Sequence, residues 1–208
     1  MYRNLYGEGK VKQTQPPGDK DLEDKKALFK VYKEIEYGVD IKDSVLYLMG
    51  EIGEYSSLDV ISRVRTILKN REDNDKSPIN IIVNSGGGCA YEMFGIIDYI
   101  KSLKVPVNVI VRGRAMSAAA MVLVSATGKR YASKHSTIMI HEGNSINAGK
   151  ASDLKAAGKH IQNIENMCNN LLAASTKKDA KWWEENTRND LYLTAEEALE
   201  LGVIDKII

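Results

Sequence analysis

The chain is expected to be an α/β protein built on a mainly parallel sheet, and three observations carry that expectation. Short β-branched runs, such as 79–84 (INIIVN) and 105–111 (VPVNVIV), alternate with segments whose apolar residues recur at helical spacing. Glycine, proline or charged residues punctuate the junctions between them. The composition, 43% apolar and 27% charged with 4 prolines among 208 residues, is that of an ordinary globular protein. Parallel strands cannot be joined by tight hairpins, so repeated strand–helix–strand units place helices over the sheet.

Each element follows in order. Residues 1–26 are polar and carry QPPGD, too little apolar surface to order themselves, and are read as a mobile arm or an assembly segment. VLYLMG (45–50) predicts a strand, SSLDVISRVRTILKN (56–70) a helix capped by Ser56 or Ser57, and INIIVN the next strand. Gly86-Gly87-Gly88 then reads as a turn into the helix AYEMFGIIDYIKSL (90–103). VPVNVIV is a third strand, RGRAM a turn, and AAAMVLV the start of a further helix. STIMIH (136–141) is a strand. About 25 residues of helical spacing within 150–178 predict a long helix that leaves the compact body. Near the end, Thr194, Glu197 and Gly202 bracket TAEEALELG with a capping box and a C-terminal glycine, and VIDKII is a last strand.

Composition also excludes function classes. Lys+Arg 29 against Asp+Glu 28 gives a net charge of +1, so no nucleic-acid surface or polybasic membrane contact is expected. No stretch approaches a membrane span, and the N-terminus lacks the apolar core of a signal peptide. The isolated Cys89 and Cys168 form neither a CxxC pair nor part of a metal-ligand cluster, which fits a reduced, cytoplasmic setting. No metal or organic cofactor is expected.

Four positions can carry chemistry. The triple glycine lets backbone N–H groups approach a ligand, or simply makes a tight turn; neither GxGxxG nor GxxxxGK[ST] is present, so a phosphate site is disfavoured. Ser117, in GRAMSAAA, follows a strand and opens a helix, where free N–H groups can hold an oxyanion. On position alone it reads as an N-cap. His141 ends a strand, where α/β folds place their ligands, and suits a general base better than His135 in a polar turn or His160 on the long helix. Asp190, in NTRNDLYLT, would supply the carboxylate that orients an imidazole, and taken alone is a turn residue.

Together these segments resemble the ClpP family of self-compartmentalising serine peptidases. The matching pieces are NSGGG (84–88), GRAMSAAA (113–120), GKR (128–130), MIH (139–141) and NTRNDLYLTAEEALELGVID (186–205), in the family's order. The resemblance implies that Ser117 is the nucleophile, His141 its base and Asp190 the carboxylate that fixes the imidazole, with the N–H groups of Gly88 and Ala118 as the oxyanion hole. It implies a ClpP/crotonase-type fold: an N-terminal arm at 1–44, a peptidase domain at 45–208, and a handle at about 142–178 whose long helix protrudes from a compact head. It further implies a homo-oligomer of two stacked heptameric rings, with handles interlocking. Peptides or unfolded proteins would be the substrates, fed by a hexameric Clp-type unfoldase ATPase.

The chain departs from the family pattern at several points. Its Ser85-Gly86-Gly87-Gly88 stands for Ser-Pro-Gly-Gly, its Ala115-Met116-Ser117-Ala118-Ala119 for Ala-Ala-Ser-Met-Gly, and its His141-Glu142-Gly143 for His-Gln-Pro. Residues 1–44 do not match the family's axial-loop segment. Three alternatives follow from these departures and from the fold. One is a specialised relative, such as a phage enzyme that processes a capsid or scaffold protein. Another is an acyl-CoA hydratase or isomerase of the same fold, against which the Ser, His and Asp set argues. The last is an inactive ring subunit.

Overall fold

A computed structural model describes residues 19–72 and 74–208. Residues 1–18 of the expected N-terminal arm lie outside that range, and residues 19–26, expected not to order themselves, instead form the start of a helix. The elements are α1 (Asp19–Tyr37), β1 (Val39–Asp40), β2 (Val45–Ile52), α2 (Ser56–Lys69), β3 (Ile79–Gly88), α3 (Ala90–Ser102), β4 (Val107–Met116), α4 (Ala118–Val124), β5 (Arg130–Ala132), β6 (Thr137–Ile140), α5 (Ala151–Ser175), α6 (Ala180–Asn186), β7 (Leu191–Leu193), α7 (Ala195–Leu201) and β8 (Lys206–Ile207).

The α/β expectation holds. The sheet runs β1-β2-β3-β4-β5-β8, and every neighbouring pair along it is parallel except β1 with β2. The long strand β4 shares its free edge between two partners. Its first half pairs with β5 (Val109↔Arg130 to Val111↔Ala132), and its second half with β6 (Arg114↔Thr137 to Met116↔Met139). Antiparallel β7 extends β6 outward. Branched residues of β2, β3 and β4, such as Leu46, Ile81, Val83 and Val109, are fully buried against the helices. All seven residues of α4 are buried, as its uninterrupted AAAMVLV demands.

Several local readings are corrected. Glycines 86–88 are not a turn: β3 runs through Gly88, pairing with β2 up to Ile52↔Gly88 across a register shift at Gly50/Glu51. The bulge absorbs what the glycines' turn propensity suggested. RGRAM likewise continues β4 rather than ending it. Neither Ser56 nor Ser57 caps α2. Ser56 Oγ accepts from the Gly53 N–H (3.0 Å), and the Ser57 N–H is taken by Glu92 of α3 (2.7 Å). Strand β5 and helix α6, the latter capped by Asp179 accepting from the Trp182 N–H (2.8 Å), carry too short an apolar signal to stand out in sequence. The Thr194/Glu197 capping box and Gly202, at φ 76°, are present as expected.

Helix α5, 25 residues long, extends about 37 Å at 1.5 Å per residue, with its buried residues Asn169 and Leu172 near the C-terminal end. That end is clamped by Arg130. Its guanidinium donates to the carbonyls of Ser175 (2.6 Å) and Gly202 (2.8 Å) and to the Asp205 carboxylate (2.6 Å), tying α5, α7 and β8 to the start of β5. Among the described residues no helix is long and apolar enough to cross a membrane.

Candidate active site

Strand register brings the candidate residues together. The Ser117 N–H donates to the Met139 carbonyl (2.8 Å), which fixes the end of β4 beside β6. In the antiparallel pair, Ile138↔Leu193, Met139↔Tyr192 and Ile140↔Leu191 lead directly to His141 opposite Asp190. Two strand pairings therefore place three side chains that are 24 and 49 residues apart in sequence.

The side chains meet as that register requires. Ser117 Oγ lies 2.8 Å from His141 Nε2, and Asp190 Oδ1 lies 3.3 Å from His141 Nδ1. A proton on Nδ1, facing the carboxylate, leaves Nε2 free to accept from the serine hydroxyl. Asp190 Oδ2 in turn accepts from the Tyr192 hydroxyl at 3.2 Å, a partner that sequence reasoning missed. The Asp190 side chain is 51% exposed against 18% for His141, so water competes for the carboxylate.

Ser117 takes the N-cap position of α4, but its hydroxyl does not cap the helix. The residue holds φ 52° and ψ −122°. Positive φ is costly for a residue with a Cβ, and such strain persists only where surrounding contacts impose it. The sharp strand-to-helix turn swings the hydroxyl off the helix start towards His141. The small neighbours are a packing requirement, because Ala118, Ala119 and Ala120 are all buried.

Gly88 and Ala118, the two expected oxyanion donors, line one cavity with Ser117 and His141. Ala118 opens α4, so its N–H belongs to the first turn, which has no intrahelical acceptor. Gly87 packs against the same junction: a Cβ there would lie 2.9 Å from the Ala118 nitrogen. Gly88 is equally confined, since its own Cβ would meet the Ile52 carbonyl.

The cavity holds about 380 Å³ between α3, α4, α5 and the segment after His141. Met93, Met121, Ile140, Ile161, Ile164 and Leu172 make much of its wall apolar. His160 faces this cavity too, but it engages Tyr91 rather than Ser117, by a 2.9 Å bond to the tyrosine hydroxyl and ring stacking at 6.1 Å. His160 lies three helical turns, about 18 Å, from buried Leu172 along α5, which puts this bridge at the outer end of the cavity. Cys168 lines the inner part, where burial, with the nearby Glu165 charge adding to it, pushes its thiol up to about 11. Among the described residues no group of three or more His, Cys, Asp or Glu is placed to hold a metal.

A hydroxyl, an imidazole acceptor and a carboxylate beside an apolar groove suit acyl transfer from a peptide carbonyl. Comparison with known families gives the same direction: the family model described as Clp protease matches residues 30–208.

Proposed function

The chain belongs to the Clp protease family and is therefore a ClpP-like peptidase; we propose that it is a serine endopeptidase using Ser117, His141 and Asp190 to hydrolyse extended or unfolded polypeptides. The observation that carries this reading is the 2.8 Å approach of Ser117 Oγ to His141 Nε2 in the wall of an apolar cavity. Ser117 Oγ attacks the scissile carbonyl carbon while its proton passes to His141 Nε2. Asp190, across from Nδ1, holds the tautomer and stabilises the imidazolium. The N–H groups of Gly88 and Ala118 receive the oxyanion. His141 returns the proton to the leaving amine, and a water, deprotonated by the same nitrogen, then releases the acid and regenerates Ser117.

The same proposal includes the assembly. Apolar Leu28, Val31, Tyr32 and Ile35 of α1 stand exposed on the single chain, which supports reading residues 1–44 as an assembly arm. Exposed Leu154 and Met167 on α5 support a handle, at about 142–178, that packs against another subunit. Two stacked heptameric rings, fed by a hexameric unfoldase ATPase in the cytoplasm, form the arrangement proposed.

A fluorophosphonate probe tests the reading. Labelling that maps to Ser117 on a particle of ring-sized native mass is the expected result. No labelling, together with binding and turnover of an enoyl thioester, would replace the peptidase reading with the hydratase one.

A further inference from the structure

The ten residues between β6 and α5, 141–150, contain no regular structure, yet the N–H groups of the two residues after His141 are both held. The Glu142 N–H donates to the Thr187 carbonyl at 2.7 Å. Thr187 is itself buried and fixed, its hydroxyl donating to the Trp183 carbonyl (2.7 Å), three residues before Asp190. The Gly143 N–H donates to Glu165 Oε1 at 2.7 Å. Glu165 sits on α5, half-buried, in the wall of the cavity that Ser117 and His141 also line. The strap leaving His141 is therefore tied on one side to the loop that carries Asp190 and on the other to the long helix.

The second tie depends on what stands at both positions. A Cβ on residue 143 would lie 2.8 Å from Glu165 Oε1, too close for the carboxylate to keep its place. A proline at 143, as in the His-Gln-Pro pattern that this chain departs from, would have no N–H to donate. Glycine at 143 thus lets the Glu165 carboxylate keep its present place against the N–H. A hydrogen bond from a backbone N–H to an ionised carboxylate is of the stronger, charge-assisted kind.

We infer that Glu165 is a positioning residue: its bond to the Gly143 N–H fixes the backbone just after His141 and so holds the imidazole within reach of Ser117. This inference rests on the peptidase reading. It couples α5 to the chemistry, because any displacement of α5 at Glu165 pulls on the segment leaving His141. Glu165 acts through the strap and transfers no proton.

The test compares Glu165→Ala and Glu165→Gln in the full-length, assembled protein. The alanine variant is expected to lose about tenfold in kcat for a fluorogenic peptide and in the rate of fluorophosphonate labelling, with KM changed less than about twofold. The glutamine variant, whose amide oxygen can still accept, is expected to recover most of both rates. Equal losses in the two variants, or labelling of the alanine variant at the wild-type rate, would overturn the inference while leaving the peptidase reading intact, provided the wild type is labelled at Ser117. Should the alanine variant fail to assemble, hydrogen exchange on the wild type decides. The Gly143 amide is expected to be protected relative to those of Asn144 and Ser145, and equal exchange would overturn the proposal.

Discussion

Gly87 packs against Ser117 so closely that a Cβ on residue 87 would lie 2.8 Å from the serine Cβ and 2.5 Å from the Met116 carbonyl oxygen. Residue 87 also holds φ 89°, which a residue bearing a Cβ adopts only with strain. Gly87→Ala must displace the turn that carries Ser117. Hydrolysis of a fluorogenic peptide is expected to fall by about a hundredfold or more, and native mass shows whether assembly survives. Wild-type turnover would mean that this packing does not set the position of the serine.

Asp190→Asn keeps the shape but removes the charge opposite His141 Nδ1. Because Asp190 is 51% exposed, water can replace part of its effect, and a loss of about a hundredfold in kcat is expected, with KM nearly unchanged. Tyr192→Phe removes only one donor to that carboxylate and should cost less than about threefold. Steady-state kinetics on one peptide read both variants.

The Arg130 clamp makes stability depend on pH. Burial pushes the Asp205 carboxyl up, but hydrogen bonds from Arg130 and its charge outweigh this, and the group ends below its ordinary value. A carboxyl depressed in the folded state contributes stability above its unfolded pKa and loses it as pH falls through the folded value. Asp205→Asn should therefore lower Tm at neutral pH, and the gap from wild type should narrow below about pH 4. Thermal melts across that range check it; a gap that widens in acid would contradict the account.

Cys89 is exposed, whereas the Cys168 thiol is pushed up to about 11. The thiolate is the reactive form. Iodoacetamide at about pH 8 should modify Cys89 first and spare Cys168 in the native protein, as read by peptide mapping. Denaturation should abolish the difference.

The layered α/β plan was legible because it depends on local period: INIIVN and AYEMFGIIDYIKSL announce strand and helix without reference to anything distant. The Thr194, Glu197 and Gly202 helix was legible for the same reason, since its caps lie within its own sequence. Gly86 to Gly88 and RGRAM were misread because glycine's local preference for turns gave way to ladder bonds from strands β2 and β6, which sequence does not display. The grouping of Ser117 with His141 and Asp190 depends on register, which family resemblance pointed to and single-residue reasoning did not. Glu165 gave no sequence signal beyond the glycine where the family pattern has proline, because its partner is a backbone N–H on another element.

If Ser117 is the nucleophile, no other group of the site can take over its attack. The most direct measurement is the rate of peptide hydrolysis by Ser117→Ala in a particle of wild-type native mass. Hydrolysis indistinguishable from the uncatalysed background, together with loss of fluorophosphonate labelling, is the expected result. Cleavage at the wild-type rate by that variant would contradict it.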